Sequence, residues 1–245
     1  MILQEEYVDL ATPTGPMRTF VYRPVAAGKY PGVVLFSEIY QRTGPIKRTA
    51  AMLAGHGYVV AVPDVYHDLL PPGTELAYDP EGTATGNANK IARPIKAYDD
   101  DAAAVIAHLQ THAACNGRIG AMGMCLGGHL AFRAAMHAEV TATACFYATD
   151  IHKGSLGSQG DDSLARIPQI HGQLLMIWGQ QDPHIPDAGR LLVQTQLRGA
   201  QVRFNWHEFN GAHAFMRDQG PRHDPALVLI CWRLVLDFFQ AGLTA

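Results

Sequence analysis

Cysteine is scarce in this chain of 245 residues, and the four present, Cys115, Cys125, Cys145 and Cys231, are too few and too scattered for a disulfide framework. Charge of one sign is also lacking. A formal net charge of -3, with 19 basic and 22 acidic side chains, creates no field that would hold a polyanion, which excludes nucleic acid as an expected partner. The opening Met1-Ile2-Leu3-Gln4-Glu5-Glu6 has neither a basic stretch nor an apolar stretch, so it is not read as a secretory signal. No apolar run is read as long enough to span a bilayer. No histidine pair has a metal spacing such as H-E-x-x-H, so neither a metal nor a cofactor is expected. Together these absences point to a protein of the cytoplasm with reduced thiols and no membrane partner.

What is present is enough apolar sequence, 48% of residues, to bury a sizeable core. Open α/β sheets commonly use such a length as one domain, the expectation here for residues 1–245. Two stretches, Glu6–Leu10 and Met17–Tyr22, flank the turn-rich Thr12-Pro13-Thr14-Gly15-Pro16 and predict an antiparallel hairpin. Beyond Pro24 short apolar runs alternate with helical patterns. Gly32–Phe36, Val59–Val62, Arg118–Met122, Thr143–Tyr147, Leu174–Trp178 and Val202–Trp206 read as strands buried on both faces. Ile46–Ala54, Ala97–His112, Gly127–Met136, Ala188–Leu197 and Pro225–Gln240 read as helices between and after them. That alternation predicts an α/β fold with a mostly parallel sheet covered by helices on both faces. Leu69–Ala92 and His152–Pro168 are long, turn-rich segments following strands, placed to cap the carboxyl edge of the sheet where ligands bind.

Chemistry concentrates in Gly123-Met124-Cys125-Leu126-Gly127-Gly128, between a strand and a helix of small residues. It is the cysteine form of the G-x-S-x-G elbow of the α/β-hydrolase fold, a sharp turn whose flanking glycines avoid neighbouring backbone. Such a fold presents an acid and then a histidine further along the chain. Asp182 follows the run Leu174–Trp178, and His213 sits in the loop His207–Phe215 after the last strand. Rivals exist. Asp187 has the position of a helix cap, and His184 and His207 are alternative bases.

These residues resemble the dienelactone hydrolases, also called carboxymethylenebutenolidases. The likeness runs from the hairpin through nearly the whole chain and is carried by Gly123-x-Cys125-x-Gly127-Gly128, Gln181-Asp182-x-x-x-Pro186, Gly211-Ala212-His213-Ala214-Phe215-x-Arg217 and Ser37-Glu38-Ile39. The resemblance implies a Cys125–His213–Asp182 triad that hydrolyses a small-molecule ester or lactone. It implies that Glu38 restrains the resting cysteine, that Arg217 contacts a substrate carboxylate, and that backbone N–H groups of Ile39 and Leu126 form the oxyanion hole. One departure stands out: the segment Tyr78–Asn87, where the family carries a second arginine, has none, and Arg93 is the nearest. A thioesterase, an acyl transferase or an organophosphate hydrolase would use the same triad, whereas a thiol sensor would need neither Asp182 nor an oxyanion hole.

Overall fold

A computed structural model describes residues 1–243. Strands β1 (Leu3–Thr12) and β2 (Gly15–Pro24) form the expected antiparallel hairpin, pairing Thr12 with Gly15 at its tight end. The remaining strands are β3 (Tyr30–Phe36), β4 (Val59–Pro63), β5 (Cys115–Met124), β6 (Val140–Phe146), β7 (Gln173–Gly179) and β8 (Arg203–Phe209). All eight join one sheet in the order β1-β2-β4-β3-β5-β6-β7-β8, parallel throughout except where β2 meets β1 and β4. The reversal of strand order around β3 opens a crevice at the carboxyl edge, the place where such sheets hold ligands.

Helices α1 (Gly44–Gly55), α3 (Ile95–Thr111), α4 (Leu126–Ala134), α5 (Asp187–Gly199) and α6 (Pro225–Leu243) occupy the stretches with helical patterning. Strands β3, β4 and β7 are buried almost along their whole length because helices cover both faces, which is why their sequences are continuous apolar runs rather than alternating ones.

Four expectations need correction. Leu69–Ala92 is not irregular throughout: its last part is helix α2 (Pro80–Ala92). Asp79 caps it by accepting from the Gly82 N–H at 2.7 Å, and Pro80 stands at the first helical position. Asp187 is the first residue of α5 rather than its cap, and its carboxylate pairs with Arg190. α6 has the length and composition of a membrane-crossing helix, contrary to the reading that no such run exists; here it lies on the sheet, with Cys231, Val235, Phe238 and Phe239 turned inward.

Arg93 does not reach toward a substrate. Its guanidinium is fully buried, with Nη1 donating to Asp101 at 2.8 Å and to the Val65 carbonyl at 2.6 Å, and Nε 2.8 Å from Asp68. It ties the segment after β4 to α3. Removing one partner of such a pair leaves a buried charge without compensation. Arg93→Ala is therefore expected to lower the unfolding free energy by about 3–5 kcal/mol in denaturant titrations; a loss under about 1 kcal/mol, the range of exposed ion pairs, would contradict this structural role.

Candidate active site

The elbow is built by close approach of backbone to backbone. β5 ends at Met124, α4 begins at Leu126, and Cys125 between them takes φ 59° and ψ -120°, a conformation side-chain-bearing residues rarely adopt. A Cβ on Gly123 would lie 1.9 Å from the Gly127 carbonyl oxygen; one on Gly127 would lie 2.2 Å from that of Phe36, and one on Gly128 2.6 Å from that of Phe146. The turn is thus wedged between the ends of β3 and β6. Hydrogen bonds hold it there: Cys125 N–H donates to Phe146 O at 3.1 Å, and Thr149 N–H donates to Cys125 O at 3.3 Å.

Asp182 lies in the loop after β7 and His213 in the loop after β8. The two loops are joined by Gln180 N–H to Phe209 O at 2.8 Å and Gln181 N–H to Gly211 O at 3.0 Å. The result is a bond of 2.6 Å between His213 Nδ1 and Asp182 Oδ2, while Asp182 Oδ1 accepts from the His184 N–H at 2.8 Å. With the carboxylate on Nδ1, Nε2 is left for the site. Burial alone would push the His213 proton off. Coulombic attraction to Cys125 and the hydrogen bond to the Asp182 carboxylate outweigh it, and the imidazole is pushed up to about 10.

Glu38 is 2% exposed, and burial raises its pKa against the pull of Arg217 and His213. Among the described residues its side-chain hydrogen bond goes to Arg217 Nη1, at 3.5 Å, rather than to Cys125. Arg217 in turn lies 4.3 Å from the centroid of the Tyr78 ring. Of the rival bases, His184 packs edge-on against His213 at 4.7 Å and has its pKa lowered by burial and by His213. His207 stays on β8, stacked on Phe209 at 6.0 Å.

A cavity of about 240 Å³ joins these groups at the carboxyl edge of the sheet. Glu38, Ile39 and Tyr40 line it from the loop after β3, Cys125 from the elbow, and His184, His213 and Arg217 from the later loops. Seven further lining residues were not singled out in the sequence: Thr83, Asn87 and Lys90 on α2, Thr149, Asp150 and Lys153 after β6, and Arg222. Lys90 donates to Asp150 at 2.8 Å. The helix signal Asp79-Pro80-Glu81 could have revealed α2, but nothing local indicates which way its polar face points. Four cations, Lys90, Lys153, Arg217 and Arg222, therefore border the cavity although the segment Tyr78–Asn87 supplies no arginine. Among the described residues no group of His, Cys, Asp and Glu is arranged to hold a metal ion.

A mostly parallel sheet with a glycine-bounded elbow between its central strand and helix makes this an α/β-hydrolase fold. Residues 17–243 match the dienelactone hydrolase family, and the chain belongs to it. It is 41% identical over 256 residues to a protein of Saccharomyces cerevisiae named "Putative carboxymethylenebutenolidase", an alignment covering 99% of this chain and 93% of that one. Among solved structures, "Putative Dienelactone Hydrolase" from Klebsiella pneumoniae superposes with a TM-score of 0.86 at 21% identity, covering 98% and 99% of the two chains. The dienelactone hydrolase-like promiscuous phosphotriesterase P91, from metagenomic libraries, superposes with a TM-score of 0.81 at 19% identity, covering 99% of this chain and all of that one. The protein is a hydrolase of ester or lactone bonds.

The raised pKa of His213 has a measurable consequence. Its contribution to stability is complete below the ordinary histidine value of about 6.5 and is lost as the pH rises through about 10. Histidine-selective NMR titration is expected to show one imidazole still protonated at pH 8, and Cys125→Ala is expected to lower its midpoint. A titration near 6.5 in both forms would show that Cys125 and His213 do not interact.

Proposed function

We propose that Cys125 is the nucleophile of a cytoplasmic, single-domain ester or lactone hydrolase, with His213 as its acid and base and Asp182 as the group that orients the histidine. The observation that carries this reading is the 2.6 Å bond from Asp182 to His213 Nδ1, with Cys125 and His213 lining one cavity. In the first step His213 takes the thiol proton as Cys125 Sγ attacks the carbonyl carbon, and it delivers that proton to the leaving oxygen as the bond to that oxygen breaks. In the second, His213 takes a proton from water as the water attacks the thioester, the C–S bond breaks and the acid departs. The oxyanion is held by the N–H of Leu126, which as the first residue of α4 has no helical carbonyl to bond, and by the N–H of Ile39.

The nucleophile restricts the substrate. A thiolate leaves a tetrahedral intermediate more readily than an ordinary alkoxide, so attack on an unactivated ester mostly reverts. Enol lactones, aryl esters and thioesters satisfy the requirement because their own leaving groups depart easily. Glu38 and Arg217 act beside the nucleophile: the buried Glu38 restrains the resting thiol and lets it go when substrate arrives, and Arg217 meets an acidic substituent of that substrate.

Cys125→Ala is expected to abolish turnover of an aryl ester with the circular dichroism spectrum unchanged, and Cys125→Ser to retain only a small residual rate. Rapid quenching of the native protein followed by intact-mass spectrometry should find the acyl group on Cys125. Undiminished turnover by the alanine variant would exclude the assignment. His213→Ala is expected to cost about 10²–10⁴-fold in kcat, the usual range for a positioned proton-transfer group. Replacing Arg217 with Gln should weaken acidic esters more than neutral ones of the same leaving group; equal losses would remove its role in binding.

A further inference from the structure

We infer that the outer face of α6, continuous with the open face of β8, is a two-fold interface between two copies of this chain. The proposal does not depend on the chemistry assigned to Cys125.

The inner side of α6 accounts for only part of its apolar surface. Cys231, Val235, Phe238, Phe239 and Leu243 are buried, yet Leu229 is 74% exposed and Ile230 48% exposed, with Trp232, Leu234 and Leu236 half-buried beside them. A helix that is apolar nearly all round belongs inside a structure, not on one. Exposed large apolar side chains flanked by half-buried ones, on a helix whose other side is already packed, are the mark of a surface that a partner covers.

Strand β8 extends the same surface. A Cβ on Gly242 of α6 would touch Ala142, and the strand register carries that face from Ala142 to Gln173 and on to Arg203. The odd-numbered residues Arg203, Asn205, His207 and Phe209 therefore face the α6 side of the sheet. On the opposite face Glu208 is held by Arg190 of α5 at 3.1 Å. On the α6 side Arg203 and Asn205 are exposed, because α6 packs over β5, β6 and β7 and stops short of the edge strand. A step is left between the flank of the helix and the bare face of β8.

Charge identifies the occupant as a second copy. The helix carries only two charged side chains, Arg233 and Asp237, four residues apart and both exposed. Neither is in an ion pair among the described residues. An antiparallel pair of α6 helices, with the two-fold axis passing between these positions, sets Arg233 of each chain against Asp237 of the other. Two complementary pairs then form at the centre, with Leu229 and Ile230 toward either end. A membrane surface fits less well. A helix lying on anionic lipid needs an excess of Lys and Arg on its polar face, and here the two charges cancel.

Sedimentation equilibrium of the full chain over a concentration series tests the interface. The native protein is expected at twice the chain mass. Leu229→Glu combined with Ile230→Glu is expected to be a monomer with native circular dichroism and unchanged aryl-ester turnover. Arg233→Asp and Asp237→Arg are each expected to weaken dimerisation about tenfold or more, since each sets like charges together. The double variant carrying both substitutions is expected to dimerise like the native protein, and this rescue keeps the test decisive even if the glutamate variant fails to fold. A native protein monomeric throughout the series overturns the proposal, as does a charge-swapped variant no better than the single ones. So does a monomer that pellets with phosphatidylcholine–phosphatidylglycerol vesicles, which would assign the face to lipid.

Discussion

The site depends on a place where three stretches of backbone pass too closely for side chains. Gly127 lies against the end of β3, Gly128 against the end of β6, and Gly123 against the turn itself, each with a carbonyl oxygen within 2.6 Å of where a Cβ would be. That crowding keeps Cys125 at positive φ, because relaxation would require moving a central strand of the sheet. A strained residue persists only where its surroundings determine it from several sides, and here those surroundings are β3, β5, β6 and α4. The thiol is consequently presented at the carboxyl edge from the middle of the sheet, while the loops after β7 and β8 bring the Asp182–His213 pair to the same edge.

Electrostatics then depends on what the folded chain keeps from water. His213 and Asp182 are each 5% exposed and Glu38 2%, so their mutual charges act with little screening. Burial by itself disfavours the charged forms of His213 and Glu38. It fails for His213 because interactions with Cys125 and Asp182 outweigh it, and it prevails at Glu38 despite Arg217. Opposite outcomes from the same burial follow from the charge each group finds beside it.

Outside the centre, buried polar groups brace the loops that shape the cavity. Arg93 anchors the segment after β4, which leads into α2. On α4, His129 meets Ser163 at 2.7 Å and Arg133 pairs with Asp99 and Asp162, tying the loop after β6 to the helix that follows Cys125. Two long segments poor in apolar residues thus hold their shape through ion pairs and backbone bonds rather than through a core of their own.

Sequence alone determined the elements whose causes are local: the hairpin, the apolar strands buried on both faces, most helices, and the glycine-bounded turn that marks Cys125, along with Asp182 and His213 at the ends of their strands. Each rests on spacing between near neighbours in the chain. Tertiary structure decided what depends on distant partners. α2 is rich in Gly, Thr and Asn, poor helix formers, and is held by packing of Gly86 against Ile39 and by the Tyr66 hydroxyl donating to the Gly86 carbonyl. The same is true of Arg93, which folding commits to Asp68 and Asp101, and of Glu38, which it sets against Arg217, 179 residues away in the chain. The cations around the cavity belong with them: Lys90, Lys153, Arg217 and Arg222 come from separate segments, and only their convergence on one cavity gives them a shared surface. Periodicity records which side of an element is buried. It carries no record of which remote charge will be waiting there.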